Sequence, residues 1–318
     1  MKLINLKSYL AKGLSFFPAF ILKHATDLLV KSYSKKTNTF ITFCKRPIDK
    51  SGFKNLVSDN SNNEVGIIVQ GPFVTDSDFT LQTLLMYRKL YPLLPIVLST
   101  WSGEIDEYAR SILKSNRVDV IENSKPQFIG FLNLNLQLRS TNFGIEFLKL
   151  QYPHLKKVLK TRTDQRIYTP RIFHFFEGLL KLFGDNKLIA LGFNSKINKF
   201  GSISDMMIFG SFDQVARYFS LPEEQVSVTK SDYLKAETGL YLNPEQLLFQ
   251  NFAGDLPKTA SIYAQMTVNH FILIDKEMID LYWHKYTSLE NKNCYNSEYS
   301  DMSWSFAEYT HAFEKHSR

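Results

Sequence analysis

Between Gly66 and Lys160, short apolar runs alternate with longer stretches in which apolar residues recur every three or four positions. Gly66-Ile67-Ile68-Val69-Gln70, Pro95 to Trp101, Val118-Asp119-Val120-Ile121 and Lys157-Val158-Leu159-Lys160 have the length and composition of buried strands. Phe79 to Tyr91, Glu104 to Lys114 and Leu132 to Leu150 have helical spacing. Strands separated by helices of this length pair as parallel neighbours through right-handed crossovers, because an antiparallel partner needs only a tight turn. The expected fold is α/β: a Rossmann-type open sheet, mostly parallel, with helices on both faces. Farther on, Leu188 to Leu191 and Met206 to Phe209 read as strands. Ile172 to Phe183, Phe212 to Phe219 and Glu245 to Phe252 read as helices, with a short one near Ser303 to Lys315.

Such a sheet binds ligands in the crevice beyond the carboxyl ends of its strands. The fourth strand runs there into Lys160-Thr161-Arg162-Thr163-Asp164-Gln165-Arg166. In extended backbone Lys160, Arg162 and Asp164 lie two apart and share one side, so two cations and a carboxylate meet at one rim. The alternative for Asp164 is a helix cap or a surface pair with Arg166.

Several chemistries are excluded by what is missing. None of the fourteen glycines forms Gly-x-Gly-x-x-Gly. Gly66 and Gly71 have P-loop separation, but Pro72-Phe73 follows where Lys and Ser or Thr are required. There is no Gly-x-Ser-x-Gly elbow and no His-Glu-x-x-His pair. Two cysteines, Cys44 and Cys294, have no metal-ligand spacing and make a disulfide scaffold or zinc site unexpected, which suits a reducing cytoplasm.

Charge is concentrated at one end. Residues 1–36 hold seven lysines and one acid, Asp27, a balance of +6 out of a total of +7. The remainder is nearly neutral and has no basic stripe, so nucleic acid is not an expected partner. Leu3, Leu6, Leu10, Leu14, Phe17, Ile21 and Leu28 alternate with Lys2, Lys7, Lys12, Lys23 and Lys31 as in basic amphipathic helices. The uncharged run Gly13 to Leu22 is too short to span a bilayer and is interrupted by Pro18. A clean small-residue cleavage site is missing, which disfavours a signal peptide. Two readings stand for this leader: an interfacial helix on an anionic cytoplasmic membrane surface, or a helix packed on the domain with solvated lysines. The expected organisation is a leader over 1–44, a linker over 45–64, a catalytic domain over 65–285 and a helical or irregular extension over 286–318.

A sheet of this order whose fourth or fifth strand ends in an acidic turn is how nucleotide-sugar transferases of the GT-A type hold a donor. The leaving nucleoside diphosphate develops negative charge, which a carboxylate-bound divalent ion or fixed cations must meet. Here the usual Asp-x-Asp is Arg162-Thr163-Asp164, with one carboxylate. Either Asp164 binds Mg or Mn with distant help, or Lys160, Arg162 and Arg166 stabilise phosphate directly without a metal.

An ordered series resembles the successive motifs of the WavE lipopolysaccharide-synthesis family. It comprises Ile68-Val69-Gln70-Gly71-Pro72, Leu98 to Trp101, Asn135-Leu136-Gln137 with Ser140 to Gly144, Lys160 to Asp164, Ser204 to Gly210 and Pro244-Glu245-Gln246. Membership implies a GT-A-like glycosyltransferase that moves a sugar from a nucleotide-sugar donor to lipopolysaccharide core, or to a related lipid-linked surface saccharide, as a cytoplasmic protein peripheral to the inner membrane. Candidate donor-binding residues are then Gln70, Gly71, Thr100, Asn135, Arg139, Lys160, Arg162, Asp164 and Arg166. Asp205 and Glu245 compete as general base, with Asp205 preferred, and His284 joins Asp164 as a candidate metal or phosphate ligand. Ordinary roles compete for each: a strand-ending turn for Gly71, helix-start chemistry for Glu245, a structural histidine for His284. A different class of protein, a non-catalytic membrane-surface scaffold for polysaccharide synthesis, is the alternative.

Overall fold

Every residue of Val65–Gln70 (β1) and Ile96–Trp101 (β2) is buried, with no inside-outside alternation. Strands of this kind are covered on both faces, as the central strands of a parallel sheet are. The computed structural model describes residues 17–37, 46–49, 64–225, 241–284 and 302–316. The chain divides into two units, 1–46 and 47–318. Leader residues 1–16, most of the expected linker, residues 285–301 and both cysteines lie outside the described residues.

In the larger unit, β1, β2, Asp119–Asn123 (β3), Lys157–Arg162 (β4), Leu188–Leu191 (β6), Ile208–Ser211 (β7) and Phe271–Ile274 (β8) form a seven-stranded sheet in the order β3-β2-β1-β4-β7-β6-β8. The pairs β3–β2, β2–β1, β1–β4 and β6–β8 are parallel; β7 runs antiparallel to both β4 and β6. Gln165–Ile167 (β5) and Leu281–Trp283 (β9) make a separate two-stranded antiparallel sheet, with Gln165 opposite Trp283. The α/β class and the mostly parallel sheet flanked by helices are as expected. The reversal of β7 is consequential, because it brings the residues before β7 to the end of the sheet where β4 finishes.

Helices Phe79–Leu90 (α2), Glu107–Ser115 (α3), Leu134–Gln151 (α4), Ile172–Phe183 (α5) and Phe212–Tyr218 (α6) match the periodic segments to within a few residues. Pro244–Ala253 (α7) opens with a capping box in which the Asn243 side chain accepts the Gln246 N–H, and Pro244 occupies its first turn. Helix α4 lies close on the sheet: a Cβ on Gly144 would stand 2.8 Å from Ile68, and one on Gly66 would stand 2.8 Å from Leu148. Two small residues therefore set the approach of helix to strand.

Four elements went unread in the sequence. Ala260–His270 (α8) carries little apolar periodicity, β8 follows it without a turn residue, and β5 and β9 are three residues long. The expected strand at Met206 begins two residues later, at Ile208. The C-terminal helix Phe306–His316 (α9) completes the core rather than trailing from it, since Trp304, Tyr309 and Ala312 are buried and Phe183 packs edge-on against Tyr309 at 5.4 Å.

In the smaller unit, Ala19–Thr37 (α1) is helical as expected and exposes Phe20, Leu28, Leu29 and Tyr33 along with its lysines. Among the described residues no helix is long and apolar enough to cross a membrane.

Candidate active site

Strand β4 ends on Arg162, and the chain turns through Thr163 and Asp164 before β5. Gln70 of β1 pairs with Arg162, the Thr163 N–H donates to the Gln70 carbonyl at 3.0 Å, and the Gly71 N–H donates to Ser99 O at 3.1 Å. Gly71 has φ +123°, and a Cβ there would stand 2.8 Å from Thr163 Oγ1. This turn needs glycine for two independent reasons.

Alternation along β4 puts Lys160 and Arg162 on one face, as expected; Asp164 lies beyond the strand and folds back on its neighbour. Arg162 Nε donates to Asp164 Oδ1 and Nη2 to Oδ2, each at 2.9 Å, a bidentate pair. Trp283 Nε1 donates to the same Oδ2 at 3.0 Å, and the His284 N–H donates to the Asp164 carbonyl at 2.8 Å. The β5–β9 sheet makes these contacts possible by laying residues 281–284 beside the turn. The Arg162 guanidinium also lies 5.8 Å from the Trp283 ring centre.

Lys160 is fully buried, and its ammonium donates to the backbone carbonyl of Asp205 at 2.6 Å. Burial pulls its pKa down to about 8 against the opposing field of Asp205. Asp205 is itself buried just before β7, and Glu245 sits in the first turn of α7. Burial, then the negative charge of Asp205, push the Glu245 carboxyl up to about 7, against the pull of Lys199 and Arg162. Lys160 of β4 is thus bonded to the turn before β7, and Glu245 at the start of α7 lies within electrostatic reach of Asp205 and Arg162 in one charged region. Tyr218, which the sequence did not single out, belongs to it: its buried hydroxyl has no hydrogen-bond partner among the described residues, and burial with the fields of Asp205 and Glu245 raises its pKa.

The other candidates have different employment. Lys160 is too deep to touch a donor. Arg166 is buried and donates to Thr83 Oγ1, Phe79 O and Ile48 O while its guanidinium stacks 4.5 Å from the Phe79 ring centre; it ties α2 and residues 47–48 to β5. Arg139 is held bidentately by Glu223, both bonds 2.6 Å, and Asn135 bonds both the Glu224 carbonyl and its N–H. That pair of α4 residues therefore anchors the segment after α6. The Gln70 side chain accepts from Ser140, and Thr100 bonds Glu104, which also takes the Phe73 N–H and so joins the turns after β1 and β2. Gln137 Nε2 and Thr141 Oγ1, on the same stripe of α4 as Gly144, are buried without a hydrogen-bond partner among the described residues.

A divalent metal does not fit the donor set as it stands. Both Asp164 oxygens are engaged by an arginine and an indole. The His284 imidazole turns to Asp76, with Nε2 at 2.9 Å from Oδ2, and stacks on Phe79 with ring centres 4.5 Å apart. Among the described residues no three His, Cys, Asp or Glu side chains converge as metal ligands. At the opposite end of β4, Lys149, Tyr152, Lys156, Ser211 and Asp213 line a groove of about 360 Å³, remote from this cluster.

Neither a protein-family model nor a curated protein sequence matches the chain. Among solved structures it overlaps a glycosyltransferase involved in glycosylation of the major capsid of PBCV-1, at 12% identity over 80% of this chain and 99% of that one, TM-score 0.34. Mouse xyloside xylosyltransferase 1 overlaps at 9% identity over 60% and 81%, TM-score 0.34. A cytidylyltransferase from Leptospira borgpetersenii overlaps at 14% identity over 51% and 66%, TM-score 0.33. Overlaps this weak carry no argument, and the functional reading rests on the site residues.

Proposed function

We propose that the protein is a glycosyltransferase that uses a nucleotide-sugar donor. The observation that carries this reading is the carboxyl end of β4, where Lys160 bonds the Asp205 turn, Arg162 pairs with Asp164, and Glu245 feels the charges of Asp205 and Arg162. A carboxyl group poised near 7 is matched to taking a proton from a sugar hydroxyl at neutral pH. In this scheme Glu245 takes the acceptor's hydroxyl proton, the alkoxide oxygen bonds to the anomeric carbon, and the bond from that carbon to the diphosphate oxygen breaks. The nucleoside diphosphate departs with the bonding pair, and Arg162 meets its charge. Asp205, preferred from sequence, becomes the buried neighbour whose charge adds to the effect of burial on Glu245 rather than the base itself.

The acceptor in this proposal is lipopolysaccharide core or a related lipid-linked saccharide at the cytoplasmic face of the inner membrane. Its support is the WavE-like series of motifs together with the basic leader. The exposed Phe20, Leu28 and Leu29 beside Lys23, Lys31, Lys35 and Lys36 suit the interface of an anionic bilayer.

Incubating the full chain with a panel of nucleotide sugars and truncated lipopolysaccharide tests the activity. Transfer that falls in Glu245→Gln is expected; undiminished transfer in that variant overturns the assigned base, and no transfer from any donor overturns the reading. Deleting residues 1–40 should abolish sedimentation with phosphatidylglycerol vesicles. Unchanged sedimentation overturns the membrane role.

A further inference from the structure

Asp164 occupies the place where a donor-site carboxylate holds a divalent ion, yet its surroundings give it another task. We infer that this protein binds the diphosphate of its donor without a divalent metal, with Arg162 as the cation that meets the phosphates and Asp164 as the residue that aims it. The inference rests on the glycosyltransferase reading and specifies how that site takes its ligand.

The geometry is that of a positioned arginine. Two N–H groups of Arg162 lie 2.9 Å from the two oxygens of Asp164, which fixes the plane of the guanidinium as well as its place. The Trp283 N–H, 3.0 Å from Oδ2, orients the carboxylate from the far side of the chain. A metal at Asp164 would share the carboxylate with these donors and would face the guanidinium as a like charge. An arginine aimed in this way suits a diphosphate, because its planar fork matches phosphate oxygens and its charge persists at every working pH.

Exposure is graded along the strand in the same sense. Lys160 is fully buried beneath the site, whereas the Arg162 side chain is 28% exposed and that of Asp164 13%. The cation at the rim is therefore the one a ligand meets, and its carboxylate partner lies behind it. The His284 imidazole, which could complete a metal sphere, turns its Nε2 to Asp76 instead, and no three His, Cys, Asp or Glu side chains converge as ligands among the described residues. Trp283 holds its place through β9, whose pairing with β5 sets Gln165 opposite it.

Calorimetric titration of the full chain with UDP, GDP, CDP and CMP, in excess EDTA and separately in excess Mn²⁺, tests the inference without any variant. The expected result is that one of the nucleoside diphosphates binds with the same affinity, within about threefold, in both conditions, and more tightly than CMP. Binding that appears only with Mn²⁺ overturns the inference and leaves the glycosyltransferase reading standing. Binding in neither condition overturns both. Arg162→Met should weaken binding about tenfold or more, with partial recovery in Arg162→Lys, which keeps the charge but loses the fork. Asp164→Asn should weaken binding in EDTA while the thermal midpoint changes little, and Asp164→Glu should restore part of the affinity. Unchanged affinity in EDTA for both Arg162→Met and Asp164→Asn overturns the assigned roles.

Discussion

The ammonium of Lys160 donates a 2.6 Å hydrogen bond to the backbone carbonyl of Asp205, joining β4 to the turn before β7 beneath the charged cluster. A buried cation there holds an acidic turn in place and offsets the negative charge of Asp205 and Asp164, both of which favour the charged lysine. Its cost is desolvation, which pulls its pKa from 10.5 to about 8.

Lys160→Met should therefore separate activity from stability. The folded protein binds the lysine proton less tightly than the unfolded chain, so the penalty is complete below about pH 8 and fades as pH rises toward 10.5. Wild-type stability is expected to climb over that window, and the climb should vanish in Lys160→Met. At pH 7 the removed desolvation penalty offsets the lost hydrogen bond to Asp205, so the variant should keep most of the wild-type stability. Glycosyl transfer should fall at least about tenfold because the Asp205 turn loses its anchor. Urea titrations across pH 7 to 11, with initial rates at pH 7, check both parts.

Glu245→Gln should remove a second pH dependence, one opposite in sense to that of Lys160. The carboxyl is raised to about 7 in the fold, so between about 4.5 and 7 the folded protein holds a proton that the unfolded chain has lost, and stability falls as pH rises. The glutamine variant lacks this slope and should be more stable than wild type at pH 8. Its transfer rate should drop about 10²- to 10⁴-fold, the usual worth of a general base. Wild-type rates should also rise through a limb near pH 7, absent from the residual activity of the variant.

Gly71→Ala should destabilise by about 1–3 kcal/mol, because a φ of +123° is strained for any residue with a Cβ and Thr163 Oγ1 stands where that Cβ would go. Thr163→Ala in the same chain should recover part of the loss by removing the oxygen, while the backbone strain persists. A double-mutant cycle on urea midpoints measures the coupling, and strict additivity would show that the contact is not felt.

Arg139→Gln should leave nucleotide affinity within about twofold, since its guanidinium is committed to Glu223, and should lower stability by about 1 kcal/mol. Glu223→Gln should lower stability by a similar amount. Calorimetry with the nucleotide that wild type binds is the check. A tenfold loss of affinity in Arg139→Gln alone would return this arginine to the donor site.

The contrast between Arg162 and Arg139 or Arg166 shows how far residue type and spacing reach. All three are arginines near the carboxyl end of the sheet, and their local contexts were equally compatible with binding phosphate. What separates them is a partner distant in sequence: the carboxylate of Glu223 for Arg139, and carbonyls of Phe79 and Ile48 for Arg166. No short-range pattern encodes such a partner. Asn135 was misread for the same reason, because the segment at Glu224 that it binds lies 89 residues away.

The alternation of buried runs and helical periods determined the α/β class, the order of the first four strands in the chain and the position of Asp164 at the end of β4. These follow from local preferences, since the period of apolar residues decides strand or helix and the crossover length decides parallel pairing. Tertiary structure alone decided that β7 runs backwards beside β4, carrying Asp205 to Lys160, and that α7 starts where Glu245 feels the charge of Asp205. It also decided that Trp283, 119 residues beyond Asp164, donates to that carboxylate. The pKa of Glu245 and the committed state of Asp164 are properties of burial and of charges brought together across the fold, and one residue's neighbours in sequence do not contain them.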